Sequence, residues 1–264
     1  MSDRADEFER LATNPADFIS QHQVFRREEF VAAYRAMGRD TASARAALQY
    51  HVNKRHLWVV KRGVYAQVAT TDEWLLAARL TPDAVISHDG ALSLRGLTPL
   101  AQRVSFLTAH RAKPTIYEDL VCQPIRVSAD NLGQRVEIIN RFGLPITVTT
   151  LNRTLVDCLD RLDRAPDLEE LLGAFLATEH ETSADEMIAW ALTFDSPLLC
   201  SRLAFFLKCG RRNLTPHQED DLKQASLKAP GYFNRTAKTR HDKLIPSLNL
   251  IVPPELARRW RHNR

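Results

Sequence analysis

The sequence predicts an α+β chain in two parts, and three observations carry that expectation. Two helical patterns and a hairpin pattern follow one another before residue 70, five short β-rich runs lie between residues 103 and 149, and helical patterning fills most of the chain after residue 150. With 264 residues, 44% of them hydrophobic and 26% charged, the chain is long enough to bury a core in each of two domains. The boundary is expected near residue 71, which separates residues 1–70 from residues 71–264.

At the start, Asp3 to Leu11 reads as a short helix stopped by Asn14-Pro15, with a second start around Asp17, as capping or dimerisation material. Phe30, Val31 and Tyr34 share one helical face, and Gly38 suits the left-handed residue that ends a helix. Thr41 or Ser43 can cap the next helix, in which Ala44, Leu48 and Val52 recur at four-residue spacing while Arg45, Gln49 and Asn53 fall on another face. Leu57-Trp58-Val59-Val60 and Val64-Tyr65-Ala66-Gln67-Val68 are two β-branched and aromatic runs joined by Lys61-Arg62-Gly63. Helix, turn, helix and hairpin in that order make a winged helix-turn-helix over about Gln21 to Ala69.

The larger second part opens with a helix at Trp74 to Leu80, ended by Thr81-Pro82, and another at Gly90 to Arg95. Strand-like runs at Arg103 to Thr108, Thr115 to Tyr117, Ile125 to Ser128, Arg135 to Asn140 and Pro145 to Thr149 predict a small, mostly antiparallel sheet. Helices are expected at Asn152 to Asp163, Asp167 to Ala177, Ser183 to Thr193, Pro197 to Cys209 and Pro216 to Ser226. A last strand-like run at Leu248 to Val252 places the tail against this domain.

Charge is segregated along the chain. Residues 20–70 carry nine Lys and Arg against three acids, a net +6, whereas residues 151–200 carry three against eleven, a net −8. The first block suits a polyanion and the second would be repelled by one. Cys122, Cys158, Cys200 and Cys209 are scattered without metal or disulfide spacing and read as reduced thiols. No apolar run reaches membrane length and Met1 to Arg10 is charged, so the expectation is a soluble, cytoplasmic chain with no membrane partner.

A helix of this kind enters the major groove and reads base edges with polar side chains near its start. Ser43, Arg45 and Gln49 are the candidate base readers, Arg45 first among them, since arginine pairs bidentately with guanine and glutamine with adenine. A one-residue shift in helix phase would instead expose Ala46 or Tyr50. Lys54, Arg55, Lys61 and Arg62 flank the helix end and the hairpin tip and are the candidate phosphate contacts. Double-stranded operator DNA is the partner these residues imply.

No phosphate-binding Gly-rich loop, H-E-x-x-H or G-x-S-x-G elbow is present, so no catalytic residue, metal or cofactor is expected. His180 between Glu179 and Glu181 lacks a second histidine and reads as surface polar. Ser87, His88 and Asp89 are consecutive and read as capping or local hydrogen bonding. Asp157 and Asp160, with Arg153 and Arg161 near Asp157, read as a solvated helix face with ordinary ion pairs.

Four stretches resemble the AbiEi-type antitoxin family of bacterial type IV toxin–antitoxin and abortive-infection systems. They are the hairpin ending in Lys61-Arg62-Gly63-Val64-Tyr65, the segment Ile86 to Leu97, the run Arg103 to Thr108, and Thr150 to Arg161 with its Arg153-Thr154-Leu155-Val156-Asp157. That resemblance implies an N-terminal winged helix that represses its own operon by binding inverted repeats. It also implies a C-terminal domain that counters a nucleotidyltransferase-like toxin, with no enzymatic activity in this chain. Direct contact with the toxin, and a homodimer on DNA, are left open. Two other readings compete: a stand-alone regulator whose second domain senses a ligand or partner, and a nuclease using carboxylates such as Asp157 with a divalent metal.

Overall fold

A computed structural model describes residues 15–68, 71–99, 102–234 and 238–262. In chain order the elements begin α1 (Pro15–Gln21), β1 (Val24–Arg26), α2 (Arg27–Ala36), α3 (Thr41–Asn53), β2 (Leu57–Lys61), β3 (Val64–Gln67), α4 (Glu73–Arg79), β4 (Val85–Ile86) and α5 (His88–Leu94). There follow β5 (Arg103–Thr108), β6 (Thr115–Tyr117), β7 (Leu120–Arg126), α6 (Ala129–Leu132), β8 (Val136–Arg141), β9 (Leu144–Thr149), α7 (Leu151–Asp160) and α8 (Leu168–Ala177). The chain ends with α9 (Ala184–Leu192), α10 (Pro197–Cys209), α11 (Pro216–Ala225), β10 (Gly231–Tyr232), β11 (Lys243–Ile245), β12 (Leu250–Val252) and α12 (Pro254–His262). The helix expected at Asp3 to Leu11 lies outside the described residues.

Packing divides the chain into two units, one made of the chain up to Ile86 with Gln102–Val148, the other of Ser87–Ala101 with everything from Thr149. Neither unit has an edge at the expected boundary near residue 71, because α4 continues the packing of the N-terminal elements. It lies against β1 and also against β4, β5 and β7.

In the first unit, β1, β3 and β2 form a three-stranded sheet with β3 in the middle. Phe18, Phe25, Phe30, Tyr34, Ala44, Leu48 and Leu57 bury one face of it under α1–α3. The rings meet edge to face or stacked, Phe18 to Phe25 at 5.2 Å and Phe25 to Phe30 at 5.6 Å, each pair contributing about 0.5–1.5 kcal/mol beyond area burial. On the opposite face Val24, Val64 and Ala66 are buried as well, while Trp58, opposite Ala66, is half-exposed. An ion pair ties α4 back to α2, Arg79 Nε to Glu29 Oε1 at 3.3 Å, and Arg141 reaches Asp72 at 2.7 Å while lying over the Trp74 ring.

The second sheet of this unit has six strands in the order β6-β7-β5-β4-β9-β8. It is mixed where a mostly antiparallel sheet was expected: β5 pairs β7 in parallel, and β4 pairs β9 in parallel. Short runs joined by turns suggest hairpins, but β6 and its turn intervene between β5 and β7, and everything from α5 to β8 intervenes between β4 and β9. Strand β7 runs through Pro124, where the expected strand began after it. The proline is tolerated because β6 pairs only as far as Cys122, which leaves no partner on that side for a missing N–H.

The second unit is helical with a three-stranded sheet of order β10-β12-β11. Its core joins Leu155, Leu159, Phe175, Trp190, Leu203, Phe205, Phe206, Phe233 and Trp260, and Trp260 of α12 stacks on Phe205 at 5.4 Å. The tail therefore packs as expected, while β10, β11 and α12 were not anticipated.

Within it, α5 packs on α7, so the two stretches Ile86 to Leu97 and Thr150 to Arg161 meet through these helices. The solvated-face expectation for α7 fails here. Arg153 and Asp157 are 2% and 5% exposed, pair at 3.1 Å, and share Trp190, whose Nε1–H donates to Asp157 at 2.8 Å and whose ring lies 4.9 Å from the Arg153 guanidinium. The apolar stripe Leu155, Val156, Cys158 and Leu159 occupies most of the helix surface, which leaves too little exposed face for the charges. Arg202 does similar work elsewhere, donating to the carbonyls of Phe233 at 2.8 Å and Leu159 at 2.6 Å. Ser87, His88 and Asp89 do bond locally: His88 Nδ1 meets Ser87 Oγ at 3.0 Å and Asp89 accepts from Gly90 N–H at 2.7 Å.

Two stability measurements check this cluster. Asp157→Ala leaves the Arg153 charge buried without its partner and should cost about 3–5 kcal/mol in urea unfolding; a loss under about 1 kcal/mol would place the pair in solvent. The second concerns pH. Burial, reinforced by Arg161 and Arg153, holds the His88 imidazole down to about 3 from 6.5, so below pH 6.5 the unfolded chain binds a proton that the fold refuses. That lowers stability by about 1.4 kcal/mol per pH unit across the window. Asp157 runs the other way: burial pushes its carboxyl up to about 6 from 3.8, and its contribution grows as the pH falls between those values. Relative to the parent chain, His88→Asn should therefore gain stability as the pH drops from 6.5 to 4.5, and parallel pH profiles would mean that the imidazole is protonated inside the fold.

Candidate nucleic-acid interface

The expected interface is built on α2, α3 and the β2–β3 hairpin. The turn between the helices uses Gly38 at φ +73°, a conformation that needs glycine, and the Arg39 N–H closes back on the Tyr34 carbonyl at 3.0 Å. The next helix is capped by Asp40, not by Thr41 or Ser43 as expected: its carboxylate accepts the Ser43 backbone N–H at 2.7 Å. Asp40 is the better cap because a carboxylate at this end also meets the positive pole of the helix dipole. The Ser43 hydroxyl and N–H together hold the Asp40 carboxyl below its usual range.

Helix α3 buries Ala44 and Leu48 on its inner stripe, with Val52 packed beside them. Ser43, Arg45 and Gln49 are all exposed, as are Ala46 and Tyr50, so the outer face is wide enough to hold both helical phases that the sequence allowed. Arg45 makes no hydrogen bond or ion pair among the described residues, so its guanidinium is free for an external acceptor. Gln49 spends one amide N–H on Asn53 Oδ1 at 2.8 Å and keeps its carbonyl and second N–H. Ser43 is the least free of the three, since its hydroxyl serves the cap.

Of the four expected phosphate contacts, Lys54, Arg55 and Arg62 are exposed and Lys61 is half-buried. A β-bulge is responsible. Val59 pairs with Tyr65 but Lys61 pairs with Val64, so Val60 is an extra residue in β2. Lys61 is thereby turned onto the face that carries Val64 and Ala66, away from α3, and burial lowers the pKa of its ammonium, which interacts electrostatically with Cys122 of β7. Arg62 and Gly63, at φ +83°, form the two-residue turn at the tip.

Three further side chains belong to this surface and were not read as site residues. Tyr50 is 55% exposed and lies 6.0 Å under the Lys54 ammonium. His51 and His56 bring their Nδ1 atoms to 3.3 Å beside Lys54 and Arg55, and burial with the like charge of His56 lowers the His51 pKa. The signal for the pair was His51-x4-His56 spanning the end of the helix, visible only once the helix was known to stop at Asn53.

Residue types considered for catalysis fall elsewhere. His180 is exposed, while Ser87, His88 and Asp89 are buried in the second unit. Among the described residues no three His, Cys, Asp or Glu are grouped to hold a metal, and no helix is long and apolar enough to cross a membrane. All four cysteines are free and buried, with Cys122 and Cys209 pushed up to about 12 by desolvation.

No protein-family model matches the chain, and a search of curated proteins finds no match. The chain is similar in fold to the crystal structure of the RV2827C protein from Mycobacterium tuberculosis, with a TM-score of 0.62 and 14% identity over 89% of this chain and 88% of that one.

Proposed function

We propose that this chain is a sequence-specific DNA-binding regulator whose residues from about Gln21 to Ala69 act as a winged helix-turn-helix, and that it represses its own operon as the antitoxin of a type IV toxin–antitoxin system. One observation carries the DNA-binding half: a capped helix presenting Arg45 and Gln49 unobstructed to solvent, flanked by exposed Lys54, Arg55 and Arg62, in a segment of net charge +6. In this reading α3 lies in the major groove and the β2–β3 hairpin is the wing. The cations supply affinity through counterion release, and Arg45 and Gln49 supply discrimination. The antitoxin half rests on the resemblance of Ile86 to Leu97 and Thr150 to Arg161 to the AbiEi family, with a nucleotidyltransferase-like toxin as the functional partner. The second unit's regulatory role is then that of a protein-facing domain with no chemistry of its own.

The deciding experiment is a salt-titrated binding assay on the DNA upstream of the chain's own gene, against a scrambled duplex of equal length. Preference for the upstream DNA that survives physiological salt is expected. Equal, salt-labile binding to both duplexes would overturn the regulatory reading. Arg45→Ala should then lower the affinity for the preferred duplex by about 5- to 150-fold, the equivalent of about 1–3 kcal/mol, and leave the scrambled duplex nearly unaffected.

His51 makes binding pH-dependent. Phosphates beside Lys54 and Arg55 favour the protonated imidazole, so the bound state holds a proton at a pH where the free state has lost it, and affinity should rise as the pH falls from 8 to 6. His51→Gln should flatten that rise; an unchanged pH profile would place the pair away from the phosphates.

A further inference from the structure

The nucleic-acid surface expected from the sequence ends at the hairpin tip, but the first unit continues it. Strand β6 lies against β2, and two anchors fix which way it runs. At one end, the Tyr117 hydroxyl meets Thr71 Oγ1 at 3.2 Å, and Thr71 donates to the carbonyl of Gln67, at the hairpin's open end, where Gln67 pairs with Leu57. At the other end, Thr115 pairs with Cys122, which lies within electrostatic range of both Glu73 and Lys61. With Tyr117 held toward the open end, the chain enters β6 from the direction of the tip, which carries the residues just before Thr115 toward Arg62 and Gly63.

Those residues are Ala109-His110-Arg111-Ala112-Lys113-Pro114, with three basic side chains and no acid. His110 faces Asp83 at 3.9 Å, and Asp83 also binds Thr108 Oγ1 at 2.6 Å and the Ala109 N–H at 2.8 Å, which fixes the start of the loop. Arg111 and Lys113 are exposed and make no hydrogen bond or ion pair among the described residues. At about 3.3 Å per residue, Lys113 is roughly 7 Å of chain from Thr115, a reach on the scale of one phosphate spacing.

We infer that the β5–β6 loop is a second arm beside the hairpin, and that Arg111 and Lys113 contact the phosphate backbone of duplex DNA flanking the stretch read by α3. The inference rests on the DNA-binding reading and widens its footprint. The arm carries no base-reading geometry: its contacts are to phosphate oxygens, so they add affinity and salt dependence without adding sequence preference. They also replace the cation that the Val60 bulge removes from the hairpin when it turns Lys61 inward.

The test is the salt dependence of binding to the preferred upstream duplex, measured for the full chain and for the double variant Arg111→Ala/Lys113→Ala. Removing one cation from a phosphate reduces the slope of log K against log salt by about 0.9, so the double variant should have a slope about 2 units shallower, with an unchanged ratio of specific to scrambled binding. Trimming the duplex on the hairpin's side should bring the two proteins to the same slope. Arg240→Ala/Lys243→Ala, which removes two exposed cations from the second unit, is the control for net charge. An unchanged slope in the loop variant, or an equal drop in the control, overturns the arm while leaving the DNA-binding reading intact. Absence of duplex binding by the parent chain overturns both.

Discussion

The geometry of the first unit depends on β3, a four-residue strand that must satisfy two neighbours and two dry faces at once. Val64 and Ala66 are buried on one face, Tyr65 packs toward the phenylalanine cluster on the other, and the strand's backbone is shared between β1 and β2. A central strand with both edges paired cannot slip, because a one-residue shift would exchange the two faces. Helix α3 is mounted on this sheet through Leu48 and Leu57, so the direction in which Arg45 and Gln49 point is inherited from the register of β3. The same strand sets the hairpin's tip and, through β2, the position of β6.

Both units bury part of their charge, by different means. In the first, the cations of α3 and the hairpin tip stay at the surface, while Arg79 is buried against Glu29 and Lys61, half-buried, has its pKa lowered by the desolvation it meets. In the second, arginines are buried and anchored: Arg153 by a carboxylate and an indole, Arg202 by backbone carbonyls. Burying a guanidinium is costly unless its donors are met, and these arrangements meet them with groups from separate helices and turns. The result is a domain whose internal alignment is specified by directional contacts as well as by the apolar core. Its acids Glu169, Glu181, Asp185 and Glu186 are exposed.

The elements that could be read from the sequence were those whose signal is local. The α3 stripe of Ala44, Leu48 and Val52, the hairpin around Arg62-Gly63 and the helix at Pro197 to Cys209 each carry their own periodicity and end signals, and each stands where expected. What escaped depended on partners distant in sequence. The parallel pairing of β5 with β7 is decided across the β6 turn, and the burial of Arg153 and Asp157 is decided by α5, α9 and α10 closing over α7. Arg-x3-Asp on a helix is the pattern of a surface pair, and nothing in the neighbouring sequence says otherwise. The Asp40 cap was missed for a smaller reason: Thr41 and Ser43, the two residues read as caps, stand just after it, and the cap is the side chain that reaches the Ser43 N–H.

The Val60 bulge shows how a single local irregularity redistributes surface charge. In a regular β2, Lys61 would share a face with Val59 and Leu57, on the side of α3, and the hairpin would offer two adjacent cations at its tip. The extra residue hands that position to Arg62 alone and spends Lys61 on the seam with β7. A lysine placed there costs desolvation, so the bulge is stabilising only if the alignment of the hairpin with the larger sheet compensates. That alignment is what carries β6, and with it Arg111 and Lys113, toward the tip. One surface cation is thus exchanged for two on a neighbouring loop, held by backbone pairing in β6 in place of a flexible hairpin end. The hairpin can therefore be short, because it serves as a seat for the adjoining sheet as well as a surface in its own right.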